Sequence, residues 1–455
     1  MIEVPSHPAP GVNLIGYLEA ESGLGEVARR LGHGLERAGL PFAAIPYRRT
    51  PSRQEHEVRF DVASTALYDT NVICLNADQL PALVDDVGVE LFFRRSSIGV
   101  WFWETNVFRA EDRQALLFLD EVWVLSEYVR EAVSRESDVP VVVAPLPIEP
   151  PPAPASTRAD LGLPPGFLFL FVFDFVSSER KNPLGVVEAF TKAFAPGEGP
   201  TLVLKSINGR ERKPRQLEEL QRAVADRADI LVHDGYVSEA ERDAYVAACD
   251  CFVSLHRSEG LGLTMAEAMS YGKPVIATGY SGNLEFMDER TSYLVPYELV
   301  PVPEAWWAHA SGAHWAEPDV DAAATAMREV YRGQEAARAL GERGRSEILT
   351  RFSADRASGF LTSRYEALRG RRRAPAEMDV HMPVLRAAVA ARKGADRGVS
   401  GEPGRGPVSL ARRLVVRALW PYLAERQRFD AEVVDALARL QRPGRPADPR
   451  SEVTR

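Results

Sequence analysis

His256-Arg-Ser-Glu-Gly-Leu-Gly-Leu-Thr-Met-Ala-Glu-Ala-Met-Ser-Tyr-Gly-Lys-Pro-Val-Ile-Ala-Thr278 is the stretch on which the reading of this chain turns. It opens at the end of the apolar run Cys251–Leu255, passes through a glycine loop and a short helical segment, and turns at Gly272-Lys273 into a second apolar run, Pro274–Thr278. Strand, loop, helix, turn and strand in that order make a βαβ unit, whose strands pair in parallel. Gly260 and Gly262 let the backbone approach a ligand closely. A helix beginning near Leu263 and Thr264 aims unpaired amides and its positive dipole end into the same space, which suits a diphosphate. Glu259 precedes the loop and Glu267 lies about one turn into the helix, so the two flank that position. A carboxylate accepts two hydroxyl donors, which suits sugar hydroxyls at one end and a ribose at the other. Two unpaired carboxylates around such a loop would be costly in a plain core, by several kcal/mol or more.

The same alternation extends in both directions. Downstream of residue 158 the strand candidates are Phe167–Phe173, Thr201–Lys205, Ile230–His233, Cys251–Leu255, Pro274–Thr278 and Ser292–Val295. Phe167–Phe173 is apolar throughout, as in a strand covered on both faces. Upstream they are Val12–Leu18, Phe42–Ile45, Asn71–Leu75, Ile98–Trp103, Glu121–Leu125 and Val141–Ala144. Caps mark the helices between them: Gly39 closes one begun near Leu24, Ser126 opens another, Asn182-Pro183 a third, and Ser238 with Glu241 forms a capping box. Around residues 150–158 the run Pro-Pro-Pro-Ala-Pro-Ala-Ser-Thr reads as a stiff linker. The expectation is an α/β protein of two Rossmann-like, doubly wound domains, 1–150 and 151–352, facing across a cleft. A closing helix at 353–370, a flexible Arg/Gly/Pro-rich segment at 371–408 and a helical tail at 409–442 follow. The tail carries Leu410, Leu414, Leu419, Leu423, Val433, Leu437 and Leu440 among many arginines, with Pro421 to kink it. It reads as a docking or self-association helix, or else as a basic interfacial helix that touches anionic lipid.

Composition narrows the function classes. A length of 455 residues suits two domains and a tail. The formal net charge of -9 gives no reason to expect nucleic acid as a partner. Cys74, Cys249 and Cys251 cannot make a disulfide framework and read as buried thiols. The polar, proline-rich start lacks the pattern of a signal peptide, and no apolar run reaches the roughly 20 residues of a spanning helix. A cytoplasmic protein is expected, with any membrane contact peripheral and at the inner face. No metal cluster or Asp-x-Asp pair suggests a required divalent ion.

Two further segments carry chemistry. Ser22-Gly-Leu-Gly-Glu-Val-Ala28 opens a helix after the first strand and matches G-x-G-x-x-A, the dinucleotide fingerprint. Several residues separate the strand from Gly23, and no acidic ribose partner ends the strand near Ile45, so the match is weak. Trp101-Phe-Trp-Glu-Thr-Asn106 ends an apolar strand in an abrupt polar turn. Its Glu104 could orient an acceptor hydroxyl, assist its deprotonation or hold a sugar hydroxyl; the alternative is a turn cap.

Glu259 and Glu267 with seven residues between them, the Gly-Leu-Gly-Leu insert and the Ala-Met-Ser-Tyr-Gly-Lys-Pro-Val continuation resemble the E-x7-E motif of retaining family-4 glycosyltransferases, which have the GT-B fold. The resemblance extends over roughly residues 12 to 365 and is more diffuse in the first half. It implies that Glu259 contacts the donor sugar and Glu267 the nucleotide ribose. It assigns an arginine and a lysine to the diphosphate from the segment Phe173–Pro183 and from the strand that ends at Lys205. Where the family more often has Gly-Arg-Leu, this chain has Phe173-Asp174-Phe175, which leaves Arg180 and Lys181 as alternatives for the clamp. The family commonly positions the nucleobase near His233-Asp-Gly-Tyr236, and it often has a histidine near Glu104. In this reading Gly23 and Gly25 face the cleft, approaching donor phosphate or acceptor. Catalysis would then rest on Glu259, Glu104, Arg180 and Lys205. Donor binding would rest on Glu267, Gly260, Gly262, Leu263, Thr264, Lys181, Gly23 and Gly25. The implied reaction moves a sugar from a nucleotide-sugar to a hydroxyl of a glycan or lipid-linked acceptor, with retention and without a metal or other cofactor. Two alternatives stay open: an inactive sugar-nucleotide-binding protein of the same fold, and a nicotinamide-dependent oxidoreductase that uses Gly23 and Gly25.

Overall fold

The computed structural model of the chain describes residues 2–149, 153, 156–303, 306, 311–370 and 389. The segment expected to be a flexible linker, apart from Val389, and the expected helical tail lie outside them, as does most of the proline-rich stretch before residue 156. Each apolar run anticipated as a strand forms one, and they assemble into two parallel six-stranded sheets.

The first sheet contains β1 (Ala9–Gly16), β2 (Phe42–Pro46), β3 (Tyr68–Cys74), β4 (Ser96–Val100), β5 (Glu121–Val124) and β6 (Val141–Val143) in the order β2-β1-β3-β4-β5-β6. The second contains β7 (Leu168–Asp174), β8 (Thr201–Ile207), β9 (Ile230–Asp234), β10 (Cys251–Ser254), β11 (Val275–Thr278) and β12 (Tyr293–Val295), ordered β12-β11-β10-β7-β8-β9. Strand order reverses between β7 and β10, so the loops leaving their C-terminal ends diverge and open a crevice. That crevice is where the chain carries Arg180, Lys181 and Glu259.

β7 is apolar throughout because both of its faces are covered. Leu168 and Leu170 point into one layer with Met265 and Phe252, while Phe169, Phe171 and Phe173 point into the other with Phe190 and Phe194. The three cysteines are buried and unpaired, and burial pushes their thiols above the ordinary range. The caps form as expected. Ser126 Oγ accepts the Val129 amide, Asn182 Oδ1 accepts the Gly185 amide, and Ser238 and Glu241 close their box.

One element was not anticipated. β13 (Tyr297–Pro301) pairs antiparallel with β14 (His314–Pro318) in a separate hairpin. The β13 strand is mostly exposed, so it has no period of buried residues to betray it. Val302, Ala313 and Trp315 pack beneath the hairpin with Trp306 and with Val107 from the first sheet's side. Trp306 and Trp315 stack at 5.4 Å as core residues rather than as a ligand platform, and Trp307 lies outside the described residues. Asp319-Val320-Asp321 does form an Asp-x-Asp, against the reading above, but Asp319 caps the helix Val320–Arg332 by accepting the Asp321 and Ala322 amides.

The last described helix, Ala354–Gly370, returns to the first domain. Its Arg364 Nε donates to Glu121 Oε1 at 2.9 Å, its Nη2 reaches Oε2, and the carboxylate also accepts Trp123 Nε1 at 2.7 Å. Glu121 is fully buried, so losing its cation strands a charge away from water. Arg364→Ala should lower the unfolding free energy by about 3 kcal/mol, read as an earlier urea midpoint at unchanged m-value; a midpoint within error of wild type would refute this.

Candidate active site

Three loops and one helix end build the site. The first loop follows β7. Asp174 Oδ1 accepts the Val176 amide and starts a tight turn, and the short helix Ser178–Lys181 then ends at Asn182 in the left-handed region (φ 56°). Asn182 Nδ2 donates to Leu255 O at 3.0 Å, which ties this loop to the one leaving β10. The tie brings Arg180 and Lys181 onto Glu259. Arg180 Nη1 lies 3.0 Å from Glu259 Oε2 and donates to Ser258 O at 2.6 Å, while Lys181 Nζ donates to Glu259 Oε1. Burial pushes the Glu259 carboxyl up, but the charges of Arg180 and Lys181 outweigh it and hold the group at about 2. Both cations, the two alternatives for the clamp, meet the same carboxylate.

The glycine loop comes next. Gly262 sits at φ 88°, a conformation that a side chain resists, and it opens the helix Leu263–Ser270 with no side-chain cap. The uncapped end adjoins the Glu259 cluster, so its first amides are available to an anion. Gly260 lies close against the first domain. A Cβ there would lie 3.3 Å from Trp103 O, and Ser126 Oγ donates to its carbonyl at 2.6 Å across the interface. The loop is backed by His256, which is buried and kept neutral chiefly by burial. His256 Nε2 faces Tyr280 O at 3.2 Å and Asn283 Oδ1 at 3.1 Å, both acceptors, so it carries the ring proton. Asn283 is thus part of the scaffold, and Glu285 accepts the Glu127 amide of the opposite domain rather than capping its own helix.

Glu267 faces away from this cluster, onto Arg30 of the helix Gly23–Arg37, at 2.5 Å. Neither glutamate is unpaired, so the argument from uncompensated burial fails: cations from neighbouring elements balance both charges.

From the first domain, Glu104 Oε1 approaches Arg180 Nη2 at 3.8 Å. Trp103 Nε1 and Thr105 Oγ1 both donate to Val107 O, and Asn106 Oδ1 accepts the His314 amide of the hairpin, so the unanticipated hairpin fixes the Glu104 turn. Tyr128 Oη, 3.2 Å from Ser258 Oγ and 3.3 Å from Tyr280 Oη, adds a hydroxyl to the same wall.

Lys205 is not in this cluster. It is buried, and its ammonium donates to the carbonyls of Ser206, His233 and Gly235. Burial lowers it to about 8 against the pull of Asp234 and Glu241. It lines the strand-end stretch His233–Tyr236, where Tyr236 Oη donates to Asn208 and Arg53 of the first domain lies 4.8 Å over the ring. Asp174, at the position where an arginine was looked for, accepts Asn208 Nδ2 at 2.9 Å and carries no cation. Gly23 faces open space. Gly25 does not: its Cβ would strike Ala20 O and Tyr17 O, and its amide already bonds Ser22 Oγ. Arg29, which the sequence reading passed over, holds that loop by donating to Leu18 O and Ala20 O.

Two facing doubly wound domains with a helix returning from the second to the first constitute the GT-B fold. Known proteins agree. Residues 159–347 match the profile of the family described as Glycosyl transferases group 1. Over 138 residues the chain is 32% identical to the alpha-monoglucosyldiacylglycerol synthase of Streptococcus pneumoniae, covering 28% of this chain and 28% of that relative's length. Among solved structures, Anabaena HepE, determined in complex with UDP and glucose, matches 78% of this chain and 100% of its own with TM-score 0.59 at 13% identity. The sucrose-phosphate synthase of Thermosynechococcus elongatus matches 80% of this chain and 100% of its own with TM-score 0.57 at 18% identity. The frame is that of the GT-B fold, and the match to the group 1 profile falls within the second domain.

Because the folded Glu259 titrates below its unfolded value of about 4.3, its stabilising effect is complete above that pH and is lost as pH falls through about 2. Urea unfolding of Glu259→Gln at pH 5, 4 and 3 should show a pH slope reduced by up to about one proton relative to wild type. Parallel slopes would contradict the pairing.

Proposed function

We propose that this chain is a glycosyltransferase that moves a hexosyl group from a nucleotide-sugar to an acceptor hydroxyl with retention of configuration, without a metal ion. The observation that carries the reading is the meeting, across one cleft, of Glu104 from the first domain with Arg180, Lys181 and Glu259 from the second, beside an uncapped helix start. Cations and aimed amides in a largely buried setting are what a departing diphosphate needs, since preorganised charge stabilises the transition state without reorganisation. In this reading Arg180, Lys181 and the amides at Leu263 and Thr264 take the phosphates, and Glu259 accepts hydroxyls of the donor sugar. Glu267 holds the ribose, and the stretch His233–Tyr236 with Lys205 lies on the nucleobase side.

The bond from the anomeric carbon to the phosphate oxygen breaks through an oxocarbenium-like state. The acceptor oxygen attacks from the same face, and its proton passes to the leaving diphosphate. Glu104 orients the acceptor, a glycan or a lipid-linked oligosaccharide in polysaccharide or glycolipid assembly. The HepE complex with UDP and glucose and the S. pneumoniae lipid glucosyltransferase support a donor and acceptor of these classes. Work at the inner face of the cytoplasmic membrane, by a chain that stays peripheral, fits such an acceptor; no helix among the described residues is long and apolar enough to cross a membrane.

One observation favours a second reading. Asp174 turns a carboxylate, not a guanidinium, toward the strand-end loops, and a protein of this fold that binds sugar nucleotides without turnover could tolerate that.

Screening UDP-, GDP- and ADP-sugars by thermal shift and by hydrolysis, with EDTA present, separates these readings. One nucleotide class should stabilise the chain and be hydrolysed slowly, and Glu259→Gln should cut turnover by about a hundredfold or more. Tight binding without turnover would favour the inactive protein. A response to NADH alone would move the site to Gly23.

A further inference from the structure

Arg30 belongs to the first domain, yet its guanidinium is spent on holding three segments together. Nε donates to Glu26 Oε1 on its own helix at 2.7 Å and Nη1 to Pro147 O after β6 at 3.3 Å. Nη2 donates to Glu267 Oε1 of the opposite domain at 2.5 Å. Both ends of this last bond are largely removed from water, with 15% of each side chain exposed. A charge-assisted bond across a domain interface, in so dry a setting, is strong and directional.

The surroundings of Glu267 are mixed in sign. Arg242 on the helix Glu239–Ala248 adds a second cation, itself paired with Asp243 at 3.0 Å, while Glu26 and Asp243 oppose ionisation. Tyr271, one turn further along the helix of Glu267, buries a hydroxyl without a partner beside the same charges. Burial raises the Glu267 carboxyl above the ordinary range in spite of Arg242 and Arg30. Burial thus works against its ionised form, and only that form accepts from both hydroxyls of a ribose. A carboxylate has about four lone-pair positions, so the bond from Arg30 leaves room for a diol.

We propose that Arg30 is a positioning residue for the donor: from the opposite domain it keeps Glu267 charged and turned for the ribose, so that donor capture depends on the two domains being together. This rests on the sugar-nucleotide reading above. A guanidinium is the fitting group for the task because it cannot be deprotonated and offers separate donors to Glu26, Pro147 and Glu267.

The test is calorimetric titration of the full chain with UDP, GDP and ADP, at pH 6, 7, 8 and 9, for wild type, Arg30→Gln, Arg30→Lys and Glu267→Gln. For the nucleotide that wild type binds best, Arg30→Gln should weaken affinity by at least about tenfold at pH 6 and recover toward wild type as pH rises and Glu267 ionises unaided. Arg30→Lys, which keeps the charge but not the three separate donors, should fall between wild type and Arg30→Gln, and Glu267→Gln should be weak at every pH with no recovery. Wild-type affinity and pH profile in Arg30→Gln, with Glu267→Gln still weak, would overturn this inference alone. A loss in Arg30→Gln that is equal at every pH would also overturn it, marking Arg30 as plain cement between domains. Failure of wild type to bind any of the three nucleotides would bring down the underlying reading together with it.

Discussion

A buried carboxylate at the mouth of a parallel sheet has to be balanced, and the balancing of Glu259 organises this molecule. Arg180 and Lys181 reach it from the loop after β7, and that loop can deliver them only because Asn182 takes a left-handed turn and bonds Leu255 O. The result fixes the distance between the two strand-end loops at the point where strand order reverses. The helix that starts at Leu263 is aimed by the same arrangement, since Gly262 supplies the sharp turn into it. Separating a charged pair this well buried would cost several kcal/mol, so the loops hold their geometry without a ligand.

Near the cleft the two domains meet through several polar groups. Ser126 caps its own helix and donates to Gly260 O, Glu285 caps that same helix from across the interface, and Arg30 pairs with Glu267. Such bonds are specific in geometry, and those between neutral groups are modest in net energy, because open domains would regain them with water. An interface so made can part and reclose, whereas the Arg364–Glu121 pair and the helix Ala354–Gly370 keep the domains connected on the far side. A cleft that opens to exchange ligand and closes to exclude water is the mechanical requirement of the proposed reaction.

Much of the frame was legible in the sequence for a local reason. Central strands such as β7 announce themselves by an unbroken apolar run, because both of their faces are covered, and several helix starts by a cap that bonds within three residues. Glu259, Arg180 and Lys181 could be nominated because each lies in a loop after a strand, in segments that resemble the donor site of a known family. The hairpin β13–β14 could not be, as its exposed strand carries no buried period and its partner lies across an intervening loop. Lys205 stands apart from the Glu259 cluster, because the ammonium reaches sideways into three carbonyls, which no local pattern foretells.

The sequence by itself determined the fold class, the order of strands and helices, and the loops on which charged groups would sit, since all of these follow from patterns a few residues long. The tertiary structure alone decided which charges meet. That Glu104 faces Arg180, that Glu267 is answered by Arg30, and that Gly25 and Gly260 lie close against backbone oxygens are facts about surfaces more than seventy residues apart in the chain or folded back on themselves. Pairing across such distances depends on how two sheets twist and face each other. No local propensity encodes that relation; it emerges only when the burial of both cores is satisfied at once.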